Sequence, residues 1–160
     1  METNMYKHLV PARLLELAAF VRRAFEKLAV EEANPSDLCG YCARSSLQLL
    51  RLATMEGIRA DICLGCSHAF LVLPTEKKDG TVLDLVLDVT ATQFGHYDKI
   101  QVAPLSTMAA ECSAWRVSKR CKTVEEFRNT WGWEGEETYK RHARIVDKEM
   151  VESRSEACGA

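Results

Sequence analysis

The chain has 160 residues and a formal net charge of −2, a length that suits one domain able to bury about two thirds of its unfolded surface. With 47% hydrophobic and 28% charged residues it has the make-up of a soluble globular protein, and its near-neutral balance supplies no field to gather phosphate backbones, which argues against a nucleic-acid partner. No stretch reaches the roughly 20 apolar residues of a membrane span, and METNMYKHLVPARLLELAAFVRR has charges too close together for a secretory signal. No membrane partner is expected. The expected compartment is a reducing cytoplasm, with delivery into another cell by a signal-independent route left open.

In chain order, apolar residues recur at three- and four-residue intervals over residues 10–32, with Pro11 acceptable in the first turn, and predict an amphipathic helix. ANPSDLCGY breaks that pattern. A second helix is predicted over residues 42–55, with Leu47, Leu49, Leu50, Leu52 and Met55 on its buried side and Gly57 at its end. The period then changes to two. IRADICLG reads as a half-buried strand, HAFLVLP as a second strand stopped by Pro74, and VLDLVLDVTATQF as a third after the turn TEKKDGT. Strands joined so closely are expected to be antiparallel neighbours. Short strands are predicted at residues 100–102 and 114–117. Thr123 and Glu126 form a capping box for the helix VEEFRNTW, and EETYKRHARIVDKEMVE is a further helix with a solvated charged face, ending in a frayed SRSEACGA. No repeat, linker or low-complexity segment divides the chain, so residues 1–160 read as one domain.

Seven cysteines, an odd number without an export signal, disfavour a disulfide framework. They leave packing, metal ligation or a reactive thiol. Cys39 and Cys42 form one C-x-x-C, Cys63 and Cys66 another, and the spacer between them is at the upper edge of a four-cysteine zinc spacing. Against zinc, that spacer is filled by a helix and part of a strand. The alternative expectation is therefore a zinc-stabilised binding module without catalysis, and the first expectation is a nucleophile. Cys42 stands at a predicted helix N-terminus, where unpaired amides and the positive end of the dipole stabilise a thiolate, and Gly40 lets the chain turn beside the sulfur. A backbone amide there could serve as an oxyanion donor. Of His8, His68, His96 and His142, only His68 opens a strand after a short turn. The alternation of the third strand puts Asp84, Val86 and Asp88 on one face, where a carboxylate needs a partner such as an imidazole on the adjacent strand.

The order GYCARSS, LLRLATMEGIRA, HAF and LDVTATQFG, covering residues 38–95, resembles the core of the papain-like and transglutaminase-like cysteine enzymes. The resemblance implies an α+β fold with a central helix packed on an antiparallel sheet and flanking terminal helices. It further implies Cys42 as nucleophile, His68 as general base and then acid, and Asp88 as the orienting acid; Asp84 lacks the following Val-Thr. Ala43 stands where the family often has an aromatic residue, and no glutamine precedes Cys42 as oxyanion donor. Gln93 could substitute, or could be a structural amide that ties down its loop. The expected function is a cysteine-dependent amide hydrolase or acyl transferase, of protease, glutamine deamidase or transglutaminase type, acting on a protein or peptide without a cofactor. Trp131 and Trp133 could frame a binding groove, with packing under the last helices the better expectation. Cys39 and Cys66 could act as resolving thiols, although packing is again the simpler role.

Overall fold

The apolar stripe of the first helix sets one face of the molecule. In the computed structural model, which describes residues 5–132 and 134–159, α1 (Ala12–Glu31) buries Leu14, Leu17, Val21, Phe25 and Leu28. Helix α2 (Cys42–Met55) begins and ends where its spacing predicts, although Met55, expected on its buried side, is exposed in the last turn, and Gly57 at φ +70° turns the chain out of it. Five antiparallel strands follow the two helices: β1 (Asp61–Leu64), β2 (Ala69–Glu76), β3 (Val82–Asp88), β4 (Gln101–Pro104) and β5 (Lys119–Cys121), in the spatial order β4-β3-β2-β1-β5. Strand alternation sends Ile62, Leu71, Leu73, Leu85 and Leu87 into one apolar cluster with α1 and α2. Cys63, Phe70, Val72 and Val86 enter a second cluster, covered by α3 (Leu105–Glu111) and a 3-10 turn at Ser113–Trp115. Helices α4 (Val124–Trp131) and α5 (Glu136–Gly159) complete the first layer, and α5 packs along α1. Among the described residues, the result is an α+β fold of five α-helices and one five-stranded antiparallel sheet, with its N- and C-terminal helices in contact.

Several predicted boundaries move, each for a local reason. The first strand starts at Asp61, because the Ile58 amide bonds back to Ala53 O and closes the end of α2. Pro74 does not stop β2. Register with β1 ends at Asp61 opposite Val72, so beyond that point β2 has β3 on one side only, and a missing N–H on the open side breaks no ladder bond. The third strand ends at Asp88 and gives way to a 3-10 turn at Ala91–Phe94. Residues 114–117 are no strand: Trp115 lies in the 3-10 turn, and the edge strand comes later, as β5. Helix α3 had no counterpart in the sequence reading. The final helix continues through Gly159 instead of fraying after residue 152, and Arg23 of α1 donates to Ser153 Oγ at 3.2 Å. In the capping box, Thr123 Oγ1 accepts from the Glu126 amide, whereas Glu126 reaches back to Lys122 N–H. Among the described residues, no helix is long and apolar enough to cross a membrane.

Candidate active site

Two loops and one turn deliver the candidate residues to the same end of the sheet. Leu38, fully buried, and Tyr41 anchor the segment that leads into α2. The Tyr41 hydroxyl donates to Glu32 Oε1 at 2.5 Å and accepts from Asn34 Nδ2 at 2.7 Å, while its carbonyl accepts the first helical bond, from Ser45 N. Gly40 at φ +90° makes the bend, so half-buried Cys42 stands on the first residue of α2. One turn further into the helix, Ser46 Oγ donates to Ala69 O at 3.2 Å and ties α2 to the start of β2. His68 immediately precedes that strand.

The turn before His68 is tightly constrained. A Cβ on Gly65 would collide with the carbonyl oxygen of Ala114, so the glycine allows the turn to lie directly against the segment that carries Trp115. Cys66 N–H donates to Ser113 O at 3.3 Å and fixes the approach. Ser67, next to His68, is held at φ +54°, and Leu38, four residues before Cys42, at φ +64°. Left-handed backbone at non-glycine residues costs on the order of 1–2 kcal/mol each. Two of the three such residues described flank the candidate site.

His68 and Asp88 are 1% and 0% exposed, and His68 Nε2 lies 2.6 Å from Asp88 Oδ2. Asp88 accepts three further hydrogen bonds: Trp115 Nε1–H at 2.9 Å on Oδ2, and the Thr90 amide and hydroxyl at 2.8 and 3.2 Å on Oδ1. Burial alone would raise its pKa. The His68 charge and hydrogen bond, joined by the Thr90 and Trp115 donors, more than offset that and hold the carboxyl below its ordinary range. Burial likewise works against charge on His68, but the Asp88 charge and hydrogen bond, with the neighbouring Cys42 thiol, raise the imidazole to about 9. Phe70 stacks on the ring, and Phe94 and Trp115 meet it edge-on with centroids 4.8 and 5.5 Å away. With Nε2 committed to Asp88, Nδ1 is left without a regular hydrogen bond and is the nitrogen available to the sulfur.

A cavity of about 470 Å³ opens where Cys42 and His68 meet, walled by Leu64, Ala69, Ser118 and Trp131. Among the described residues, no Asp, Glu, Lys or Arg lines it, so that His68 is its one cationic group. Trp131 therefore contributes to the groove, and its partner in the sequence reading, Trp133, lies outside the described residues. Gln93 donates its amide to Thr90 Oγ1 at 3.1 Å and does not line the cavity, so it braces the loop that holds Asp88. Asp84, on the same face of β3 as Asp88, accepts a bidentate pair from Arg120, which also reaches Asp61.

The four cysteines of the zinc alternative are not gathered. Cys63 is buried in the apolar layer behind the sheet, where burial pushes its thiol up to about 12, while Cys39 and Cys66 are exposed. Among the described residues, no three His, Cys, Asp or Glu side chains are grouped as a metal set requires. The spacing is matched in sequence, but α2 and β1 separate the pairs. Sequence reasoning missed Trp115, whose indole completes the Asp88 shell; only its place in an aromatic-poor connecting segment could have drawn attention to it. Searches against protein-family models, curated proteins and solved structures give no match to this chain.

Proposed function

We propose that the protein is a cysteine-dependent acyl-transfer enzyme with a papain-like or transglutaminase-like core, using Cys42, His68 and Asp88 on an amide of a protein or peptide. The observation that carries this reading is the buried imidazole. One nitrogen is committed to a fully satisfied carboxylate, the other is left for a half-buried sulfur at a helix N-terminus, and a mostly apolar groove gives access to both. A purely structural histidine would have both nitrogens satisfied.

In this reading the Cys42 thiol proton passes to His68 Nδ1, and sulfur attacks the amide carbonyl to form a C–S bond. The amides that open α2 would hold the oxyanion. Collapse of the intermediate breaks the C–N bond, and His68 gives its proton to the leaving nitrogen, which departs as ammonia or an amine. Water or a second amine then attacks the thioester and returns its proton through His68, so that Cys42 regains its thiol and the product is an acid or a new amide. Asp88 stabilises the imidazolium throughout without taking the proton. The same intermediate serves peptide cleavage, deamidation and transamidation. Apart from the reacting pair, the groove walls carry no ionised side chain among the described residues, which favours substrate segments whose side chains beside the reacting amide are neutral.

A peptide vinyl sulfone bearing a leucyl side chain tests the proposal. Intact-mass measurement is expected to show one covalent adduct on Cys42 in the wild type and none in Cys42→Ala or His68→Gln. Equal modification of His68→Gln, or an adduct on Cys39 or Cys66 in place of Cys42, would overturn it.

A further inference from the structure

The buried stripe of α1 contains one charged residue. Arg22 is 3% exposed and falls among Leu14, Ala18, Val21 and Phe25, in a position whose helical phase calls for an apolar side chain. A buried guanidinium is costly unless it is extensively hydrogen bonded. Nη1 donates to Val89 O at 2.8 Å and Thr92 Oγ1 at 2.9 Å, both in the loop directly after Asp88, while Nη2 donates to Ser36 O at 3.1 Å, in the segment that leads into Cys42. The Thr92 hydroxyl closes the ring by donating to Asp37 O at 3.0 Å. Its remaining nitrogen, Nε, faces Glu26 Oε2 at 3.7 Å. Among the described residues, no ladder of the sheet connects the two loops.

We infer that Arg22 is the positioning residue of the site, a fork that holds the loop carrying the nucleophile against the loop carrying the acid. This inference rests on the proposed function for its chemical meaning, although the clamp itself is a statement about two loops. A planar, rigid fork can bridge two carbonyls and a hydroxyl at once, whereas a lysine supplies the charge from a single point and can keep only one side. Small displacements of a nucleophile are expensive in rate. Arg22 therefore acts through the placement of Cys42 relative to His68, without touching the reacting atoms.

Arg22→Lys tests this with two readouts. Alkylation of Cys42 by iodoacetamide near pH 6 is expected to slow by about tenfold, while exposed Cys39 and Cys66 keep their rates. Hydrogen exchange is expected to rise together in residues 36–42 and 89–93. A cooperatively folded Arg22→Lys that alkylates Cys42 within about twofold of wild type, with both loops unchanged in exchange, overturns the inference. Should Arg22→Lys fail to fold, Thr92→Val removes the bridging hydroxyl alone, and unchanged exchange in both loops of that variant overturns it equally. If wild-type Cys42 proves no more reactive than Cys39, the proposed function falls, and joint opening of the two loops still decides the clamp.

Discussion

Replacing Asp88 with asparagine should both destabilise the protein and change how its stability depends on pH. The carboxylate accepts four hydrogen bonds in a site with no solvent access. Asparagine offers one oxygen, so whichever way its amide is turned, its NH2 group opposes either the Thr90 amide or the Trp115 indole, and the negative charge that held the imidazolium is gone. Breaking a buried charged pair from one side costs about 3–5 kcal/mol. In the wild type, His68 is raised to about 9, so its contribution is full below its unfolded value near 6.5 and is lost as pH rises through about 9. Asp88 is lowered, so its contribution is present above the ordinary carboxylate value and is lost as pH falls below it. Wild-type stability should thus be greatest between about pH 4 and 6.5 and fall by on the order of 3 kcal/mol toward pH 9.5. In Asp88→Asn, burial becomes the dominant influence on His68, its pKa drops below 6.5, and the alkaline decline disappears. Urea unfolding near pH 5.5, 7 and 9.5 measures this, and the gap between the two proteins should be widest at the acid end and narrowest at the alkaline end. A gap below about 1 kcal/mol near pH 6, or one that is constant across the range, would refute the coupling of the pair.

Further outcomes follow from the same geometry. If the proposed function holds, Cys42→Ala is expected to abolish turnover while keeping stability within about 1 kcal/mol of wild type by urea unfolding, since the thiol is only half-buried and forms no disulfide. Trp115→Phe keeps the aromatic contacts around His68 but removes one donor to Asp88, for an expected loss of about 1–2 kcal/mol in the same assay. Gly65→Ala forces the turn before His68 away from Ala114 and should cost about 1–3 kcal/mol together with slowed Cys42 alkylation, read by thermal melting and peptide mass spectrometry. Peptide vinyl sulfones carrying leucine should modify Cys42 faster than the same peptides carrying lysine, because the groove walls offer an ammonium group no carboxylate.

The centre of this arrangement was legible in the sequence because it depends on two periodicities. Helical spacing put Cys42 at the head of α2, and the alternation of β3 put Asp84 and Asp88 together on the face away from the leucines, where a carboxylate needs a donor; only the resemblance to the papain-like and transglutaminase-like core favoured Asp88. Elements defined by tertiary contacts were harder to see. Residues 112–117 carry no period, and Trp115 is placed by its bond to Asp88 and its fit against Phe94, neither of which is local. Pro74 looked like a strand end because the sequence does not reveal where the neighbouring strand stops. The zinc spacing misled in the opposite way, since C-x-x-C pairs measure distance along the chain and Cys63 points into the layer behind the sheet. Arg22 went unremarked in the sequence, although it is a charge out of phase on an apolar stripe, a local conflict of the kind that marks a site with a task beyond packing.

Competitive alkylation of the native protein with iodoacetamide near pH 6, with rates resolved for Cys39, Cys42 and Cys66, tests most directly whether His68 activates the sulfur. Exposure alone ranks Cys39 and Cys66 ahead of half-buried Cys42. Activation by the imidazolium predicts that Cys42 reacts at least about tenfold faster than either, and that His68→Gln removes the advantage. Slower reaction of Cys42 than of the two exposed thiols in the wild type, or an advantage that survives in His68→Gln, would contradict it.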